Sequence, residues 1–285
     1  MRTRNQHYRE FDETRLYEYP IHLRQAIDDL PHAPGVYVFH GEEGDLPVYI
    51  GKSVDLRNRV LSHLRTVDEA RMLRQTRRIS HIRTAGEIGA LLLEASMIKQ
   101  QQPLHNKKLR RNRQLCSLKI NNGIAVVVES RDVNFAHESD LYGLFGSRHA
   151  ALEGLRKIAD DKQLCYGVLG LEKLQAGKPC FRAMLHQCAG VCRGSESIEV
   201  HAARLLMSLQ TFKLMCWPYP GAVGLVERYE DMRQIHVIHN WCYLGSVSEI
   251  DQAKELSMQA SGFDADGYKI LCKPILAGTA EIVVL

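Results

Sequence analysis

Two short tyrosine-bearing runs, Gly35-Val36-Tyr37 and Val48-Tyr49-Ile50-Gly51, sit close together in this chain. Residues 35–40 and 47–50 are rich in β-branched and aromatic side chains. The polar stretch Gly41-Glu42-Glu43-Gly44-Asp45 between them is turn chemistry, so the segment should close as a hairpin. Tyr37 and Tyr49 then fall on adjacent arms. Lys52 follows directly, and the next helix carries Arg59 and His63. Two phenols facing one cluster of basic groups read either as half-buried packing residues or as participants in chemistry.

The rest of the chain fits around that hairpin. Residues 1–30 read as an arm with a short helix near His22 to Leu30, stopped by Pro31 and Pro34. Ser53 or Asp55 can cap a helix to about Leu64, with Leu56, Val60 and Leu64 as its buried stripe. Ile79 to Thr84 alternates like a third strand, and a helix from Glu87 to Gln101 ends before Pro103. A basic link, Lys107 to Arg113, follows. Beyond it come a hairpin from Leu118 with an Asn121-Asn122-Gly123 turn, a helix from Ser147 to about Leu164, a cysteine-rich segment and a helix over about 197–215. The tail alternates strand-like runs (Gln234–Ile238, Tyr268–Cys272, Ala280–Leu285) with a helix near 248–259. The expected fold is α+β: a small mixed or antiparallel sheet with flanking helices, a cysteine segment and a C-terminal α/β tail. The expected segments are 1–30, 31–113, 114–164, 165–195 and 196–285.

Charge is distributed unevenly. Residues 51–113 hold 15 lysines and arginines against 5 acids, while the whole chain carries only +4, so the remainder sums to −6. A basic lobe beside an acidic one suits a polyanion-binding module next to an ordinary domain, although a solvated basic face looks the same. The chain opens without an apolar secretory segment, and its most apolar stretch, Gly89 to Ile98, is too short to span a bilayer. A soluble, cytoplasmic protein is expected, whose eight cysteines bind metal or pack and do not form disulfides.

Phosphodiester hydrolysis needs an activated water, charge neutralisation at phosphorus and help for the leaving oxygen. Arg59 and His63 are spaced i, i+4 on one helix face, and a guanidinium makes two charge-assisted bonds to one phosphate. Glu94 lies opposite the polar arc of its helix, among Ala90, Leu91, Met97 and Ile98. Such a carboxylate must be ion-paired, neutralised or metal-bound. A phenol with an unperturbed pKa near 10 needs a neighbouring cation to act as a base.

Together Gly35-Val-Tyr37, Val48-Tyr49-Ile-Gly51-Lys52, Leu56-Arg-Asn-Arg59-Val, Leu92-Leu-Glu94-Ala and Pro103-Leu-His-Asn106 resemble the GIY-YIG nuclease domain, and within that family the UvrC-like members. The resemblance implies a small sheet with flanking helices and one divalent metal, Mg2+ or Mn2+, held by Glu94. It implies Tyr49 as base or water-orienting phenol with Tyr37 bonded nearby, Arg59 steadying the phosphate, Lys52 supporting Tyr49, and Asn106 completing the site. His63 stands where UvrC-like sequences commonly have another tyrosine; an imidazole there can still donate to phosphate. Lys107, Lys108, Arg110, Arg111 and Arg113 would hold DNA backbone phosphates with little sequence preference.

Cys165, Cys180, Cys188 and Cys192 follow a Cys-x14-Cys-x7-Cys-x3-Cys order. Four thiolates suffice for a tetrahedral zinc or an iron–sulfur cluster, and four buried free thiols are the plain alternative. No Cys-x2-Cys knuckle announces zinc, and the UvrC-like resemblance implies a 4Fe–4S cluster, with zinc as the alternative. Cys116, Cys216, Cys242 and Cys272 are scattered and need no role beyond packing.

The UvrC resemblance is to the shorter members: no second nuclease, no helix-hairpin-helix module and no helical pair for UvrB is legible. It implies a monomeric endonuclease of nucleotide excision repair that cuts damaged double-stranded DNA on the 3′ side of a lesion, on DNA loaded by UvrA–UvrB. Two other readings stay open. One is another structure-specific endonuclease of the GIY-YIG family; the other is a non-catalytic iron–sulfur protein that binds DNA or UvrB.

Overall fold

In a computed structural model of the chain, which describes residues 20–42, 47–107, 115–175 and 178–285, the two tyrosine runs pair as antiparallel strands. Strand β1 is Gly35–His40 and β2 is Pro47–Ser53. Tyr49 lies opposite Phe39 and Tyr37 opposite Gly51, so the phenols are diagonal neighbours on one face. Gly51 makes this possible: a Cβ there would stand 2.2 Å from the Tyr37 hydroxyl oxygen. Strand β3, Arg78–Arg83, pairs antiparallel along the other side of β1, giving the order β2-β1-β3. At Gly35 a Cβ would stand 2.3 Å from the Ile82 carbonyl oxygen of β3, so glycine is needed there too.

Alternation splits the sheet into two faces. Helices α1 (Arg24–Asp28), α2 (Leu56–Arg65) and α3 (Ala70–Gln75) cover the tyrosine face. Leu23, Ile27, Leu56, Val60, Leu64 and Leu73 join Tyr37 and Phe39 in one core. Helix α4, Glu87–Gln101, covers the other face, with Leu93, Met97 and Ile98 against Val36, Val38 and Ile50. The start of α2 is set by Asp55, whose carboxylate accepts the Asn58 N–H at 2.9 Å; such a cap contributes about 1 kcal/mol.

Strand β2 is an edge strand, and its outward backbone groups are satisfied by the chain that follows α4. The Leu104 and His105 N–H groups donate to the carbonyls of Pro47 and Val48 at 3.2 and 2.9 Å. Asn106 accepts from the Ile50 N–H at 2.9 Å and donates to the Ile50 carbonyl at 2.8 Å. This compact unit takes in the described residues up to Lys107; those from Leu115 onward form the second.

In the second unit β4 (Cys116–Asn121), β5 (Ile124–Glu129) and β6 (Leu141–Phe145) form an antiparallel sheet in the order β5-β4-β6. Helix α5, Arg148–Asp161, is capped by Ser147 and packs on this sheet. The cysteine segment, with the single turn α6 (Phe181–Met184), leads into α7, Ile198–Leu209. The tail holds a second antiparallel sheet, β10-β7-β8-β9, of β7 (Val223–Tyr229), β8 (Met232–His239), β9 (Cys242–Val247) and β10 (Glu281–Val284). Helix α8, Ile250–Ser257, packs on one face of it.

One expectation for the tail fails. Tyr268–Cys272 is not a strand but the middle of helix α9, Ala265–Leu276. The Asp264 carboxylate caps that helix by accepting the Asp266 and Gly267 N–H groups, and Gly267, Leu271 and Ile275 recur on its buried face. Five residues of apparent alternation are too few to outweigh an N-cap and a four-residue period. The tail sheet is wholly antiparallel, so the tail is α+β and not an alternating α/β unit.

Candidate active site

The sheet register puts Tyr37 and Tyr49 side by side, with ring centroids 6.2 Å apart. Tyr37 is wholly buried and Tyr49 partly exposed. Burial pushes the Tyr37 hydroxyl far above the ordinary phenol range, helped by Tyr49 and opposed by the Arg59 guanidinium, which hydrogen-bonds it. Burial and then the charge of Glu94 raise Tyr49, against the Arg59 guanidinium and the Tyr37 hydroxyl beside it. Neither phenol is therefore readily ionised by itself.

Glu94 reaches this group around the edge of β2. Residues i and i+2 of a strand send their N–H groups the same way. Asn106 takes the outward N–H of Ile50, and the Glu94 carboxylate takes that of Lys52. Burial raises the Glu94 carboxyl above its usual range, while the Lys52 N–H and the charges of Lys52 and Arg59 pull it down. Among the described residues no ion pair engages it. The structural alternative for this carboxylate, a salt bridge to an arginine, is therefore not formed among the described residues. A half-buried, unpaired carboxylate beside a phenol and a guanidinium fits a hard divalent cation.

Three sequence expectations change. His63 was expected to donate to phosphate, but it is 2% exposed and both ring nitrogens are engaged. Its Nε2 faces the Tyr37 hydroxyl at 2.5 Å and its Nδ1 faces the Glu69 carboxylate. Lys52 was expected to support Tyr49; its ammonium instead bonds Glu87 at 2.5 Å, one end of α4, and its charge acts on Glu94. Arg59, exposed on α2, is the cation that acts on both phenols. Asn106 was expected among the reacting groups and is a buried clamp on Ile50, midway between Tyr49 and Gly51. Lys107 is exposed, whereas Lys108, Arg110, Arg111 and Arg113 lie outside the described residues.

Sequence reading missed Glu69 and Glu87. Glu69 closes a 3₁₀ turn, Val67–Glu69, six residues beyond His63, and no periodicity marks it as a partner. Glu87 stands in the first turn of α4, where an acid is expected for helix-dipole reasons alone.

In the second unit the thiols of Cys165, Cys180 and Cys192 lie within 4.8 Å of one another. Cys165 and Cys180 sulfurs are 3.7 Å apart, Cys180 and Cys188 3.8 Å. Burial pushes the Cys188 and Cys192 thiols up to about 11, a cost that a bound cation would reverse. His201 of α7, also missed, is fully buried and accepts the Cys165 N–H at 3.0 Å through Nε2.

Residues 33–107 match the model of the UvrC-like GIY-YIG domain, 109–211 that of the UvrC/Cho excinuclease middle domain, and 222–285 that of the excinuclease Cho C-terminal domain. Excinuclease cho of Escherichia coli (strain K12) is 57% identical over 276 residues, 97% of this chain and 94% of that protein. Excinuclease cho of Salmonella typhi is 55% identical over the same shares. UvrABC system protein C of Caldicellulosiruptor saccharolyticus is 29% identical over 60% of this chain but only 30% of its own length. The solved GIY-YIG N-terminal endonuclease domain of UvrC from Thermotoga maritima, bound to magnesium as its catalytic divalent cation, is 34% identical. It covers 30% of this chain and 94% of that one, with a TM-score of 0.28. The protein is an endonuclease of the UvrC-like GIY-YIG class. More narrowly, the chain belongs to the excinuclease Cho family.

Proposed function

We propose that Glu94 holds the divalent cation, Mg2+ or Mn2+, with which this nucleotide excision repair endonuclease makes its 3′ incision in lesion-bearing duplex DNA. The reading rests on one observation: Glu94 is a half-buried carboxylate that accepts the Lys52 N–H and has no ion pair among the described residues, next to Tyr49 and Arg59. A cation bound there supplies Lewis-acid help to the scissile phosphate and lowers the pKa of bound water. Tyr49, the more exposed phenol, orients the attacking water and takes its proton. Arg59, held by Tyr37 in this structure, turns its planar fork onto the phosphate. Asn106 keeps β2, and with it Tyr49, in register. Lys107 with Lys108, Arg110, Arg111 and Arg113 tracks the phosphate backbone without reading bases. UvrA and UvrB deliver the lesion-bearing DNA, and the protein acts as a cytoplasmic monomer.

The test is nicking of a lesion-bearing duplex in the presence of UvrA, UvrB and magnesium. Glu94→Ala should abolish nicking while DNA binding persists. Undiminished nicking by that variant overturns the reading.

The cysteine segment is proposed to hold a metal centre through Cys165, Cys180, Cys188 and Cys192. The ligand spacing in the sequence suits a 4Fe–4S cluster. The Cys165–Cys180 and Cys180–Cys188 separations of 3.7 and 3.8 Å are instead close to the edge of a tetrahedron around one ion, about 3.8 Å for a zinc–sulfur bond near 2.3 Å, although Cys188 lies outside the group formed by Cys165, Cys180 and Cys192. A four-iron cluster needs the thiolates farther apart. Brown protein with a broad visible charge-transfer band after anaerobic purification supports iron. Colourless protein with one zinc per chain supports the alternative.

A further inference from the structure

The chain of contacts that begins at Tyr49 does not stop at the phenols. The Tyr37 ring lies beside that of Tyr49, with centroids 6.2 Å apart; its hydroxyl is 2.5 Å from His63 Nε2, and His63 Nδ1 meets the Glu69 carboxylate. Tyr37 and His63 are buried, while Glu69 keeps a third of its side chain exposed. The titratable and charged groups facing the imidazole are Tyr37 from β1, Tyr49 from β2, Arg59 from its own helix and Glu69 from the turn after α2.

Each hydrogen in such a chain is directed by its neighbour. A carboxylate only accepts, so the imidazole proton sits on Nδ1 and Nε2 becomes an acceptor. Tyr37 must then spend its O–H on Nε2, and its oxygen can accept from Tyr49. The Tyr49 oxygen is left with its lone pairs toward the Glu94 side. With the other tautomer every hydrogen reverses, and Tyr49 would point its O–H at the water it has to deprotonate.

We propose that Glu69 is a positioning residue that sets the direction of a proton relay from Tyr49 through Tyr37 to His63. The inference rests on the catalytic reading of Glu94 and Tyr49 given above. As the water's oxygen attacks phosphorus, its proton goes to Tyr49, the Tyr49 proton to Tyr37, and the Tyr37 proton to His63 Nε2. One proton leaves the water and one arrives on the imidazole, and both phenols stay neutral throughout. That removes the obstacle that burial sets against ionising either phenol. The imidazolium formed is paired with Glu69.

The full chain, loaded on lesion-bearing DNA by UvrA and UvrB, provides the test through single-turnover nicking across pH. Glu69→Gln should lower the plateau rate on the order of 10²-fold, with affinity for DNA and magnesium unchanged. Its acid limb should move to lower pH, because Glu69 opposes the burial that already depresses His63. Glu69→Asp should restore part of the rate. The low-field Nδ1 proton resonance of His63 should vanish in Glu69→Gln at an unchanged melting temperature. A Glu69→Gln plateau within about twofold of wild type, or a lost rate with an unmoved acid limb, overturns the relay. Glu94→Ala keeps the two ideas apart. If it is dead while Glu69→Gln is normal, only the relay falls; if it is active, the catalytic reading itself falls.

Discussion

His63 in the nuclease unit and His236 in the second unit are wired in nearly the same way. His236 is fully buried on β8, with Nδ1 at 2.6 Å from the Ser246 hydroxyl and Nε2 at 2.9 Å from the Glu227 carboxylate. Each imidazole thus lies between a hydroxyl and a glutamate, and a tyrosine follows the hydroxyl in both. What lies beyond that tyrosine differs. Past Tyr49 come Arg59 and Glu94, a carboxylate with no ion pair among the described residues. Past Ser246 comes Tyr243, bonded back at 2.6 Å on the same strand. Ser246 stands directly opposite His236 in the register, and Glu227 belongs to the next strand, so this network stitches β7, β8 and β9 together. A hydroxyl–imidazole–carboxylate row is therefore not a catalytic signature in itself. On the proposed reading it becomes one where its open end reaches a guanidinium that can hold a phosphate and a carboxylate that can hold a cation.

The sharpest way to break the contrast is to cut the phenol at each open end. Tyr49→Phe removes the oxygen proposed to receive the water's proton, and single-turnover nicking should fall on the order of 10³-fold with lesion-DNA binding retained. Tyr243→Phe removes the matching oxygen in the second unit and should leave nicking within about twofold. Equal losses in the two variants would make the C-terminal network part of the reaction and end the comparison.

A smaller effect separates positioning from chemistry inside the nuclease unit. Asn106→Ala leaves the Ile50 N–H and carbonyl without their partner at a buried edge. The expected loss is about 2–6 kcal/mol in urea unfolding, as each of the two orphaned groups costs about 1–3 kcal/mol. Nicking should fall in parallel, and lowering the temperature should recover part of it. A Glu94-like collapse of rate at full stability would instead return Asn106 to the reacting groups.

These contrasts also mark what a sequence can carry. The hairpin, the helix cap at Asp55 and the places of Tyr37, Tyr49, Arg59 and Glu94 were legible because each is set by local pattern: alternation, a turn, a cap, a helical period. Gly51 was visible as a motif letter, and the structure supplies its reason, the Tyr37 ring lying over it. Glu69, Glu87 and the true partners of Lys52 and His63 were not legible. Their contacts join surface-like residues brought together by chain turns that carry no periodicity of their own. Helix α9 was misread for the opposite reason, since a short apparent alternation masked a cap four residues upstream.

In the second unit, His236→Gln should cost about 1–3 kcal/mol in the same unfolding assay, from one or two buried polar groups left unpaired, with nicking unchanged where the protein remains folded. The loss should be no larger than that of Asn106→Ala, and the activity readout should not move.

The gentlest probe is pH acting on cation binding. Burial raises the cation-free Glu94 carboxyl, and only the carboxylate binds a divalent ion. Protons therefore compete with the cation, and magnesium affinity should weaken by about tenfold per unit as pH falls below the raised pKa. Well above it, affinity should be flat. Glu94→Gln should abolish both the binding and its pH dependence, measured by calorimetry without DNA. His236→Gln, which disrupts the look-alike network of the second unit, should reproduce the wild-type curve. If it shifts that curve, the two histidine networks are coupled, and the line drawn between a working row and a stitching one has to be withdrawn.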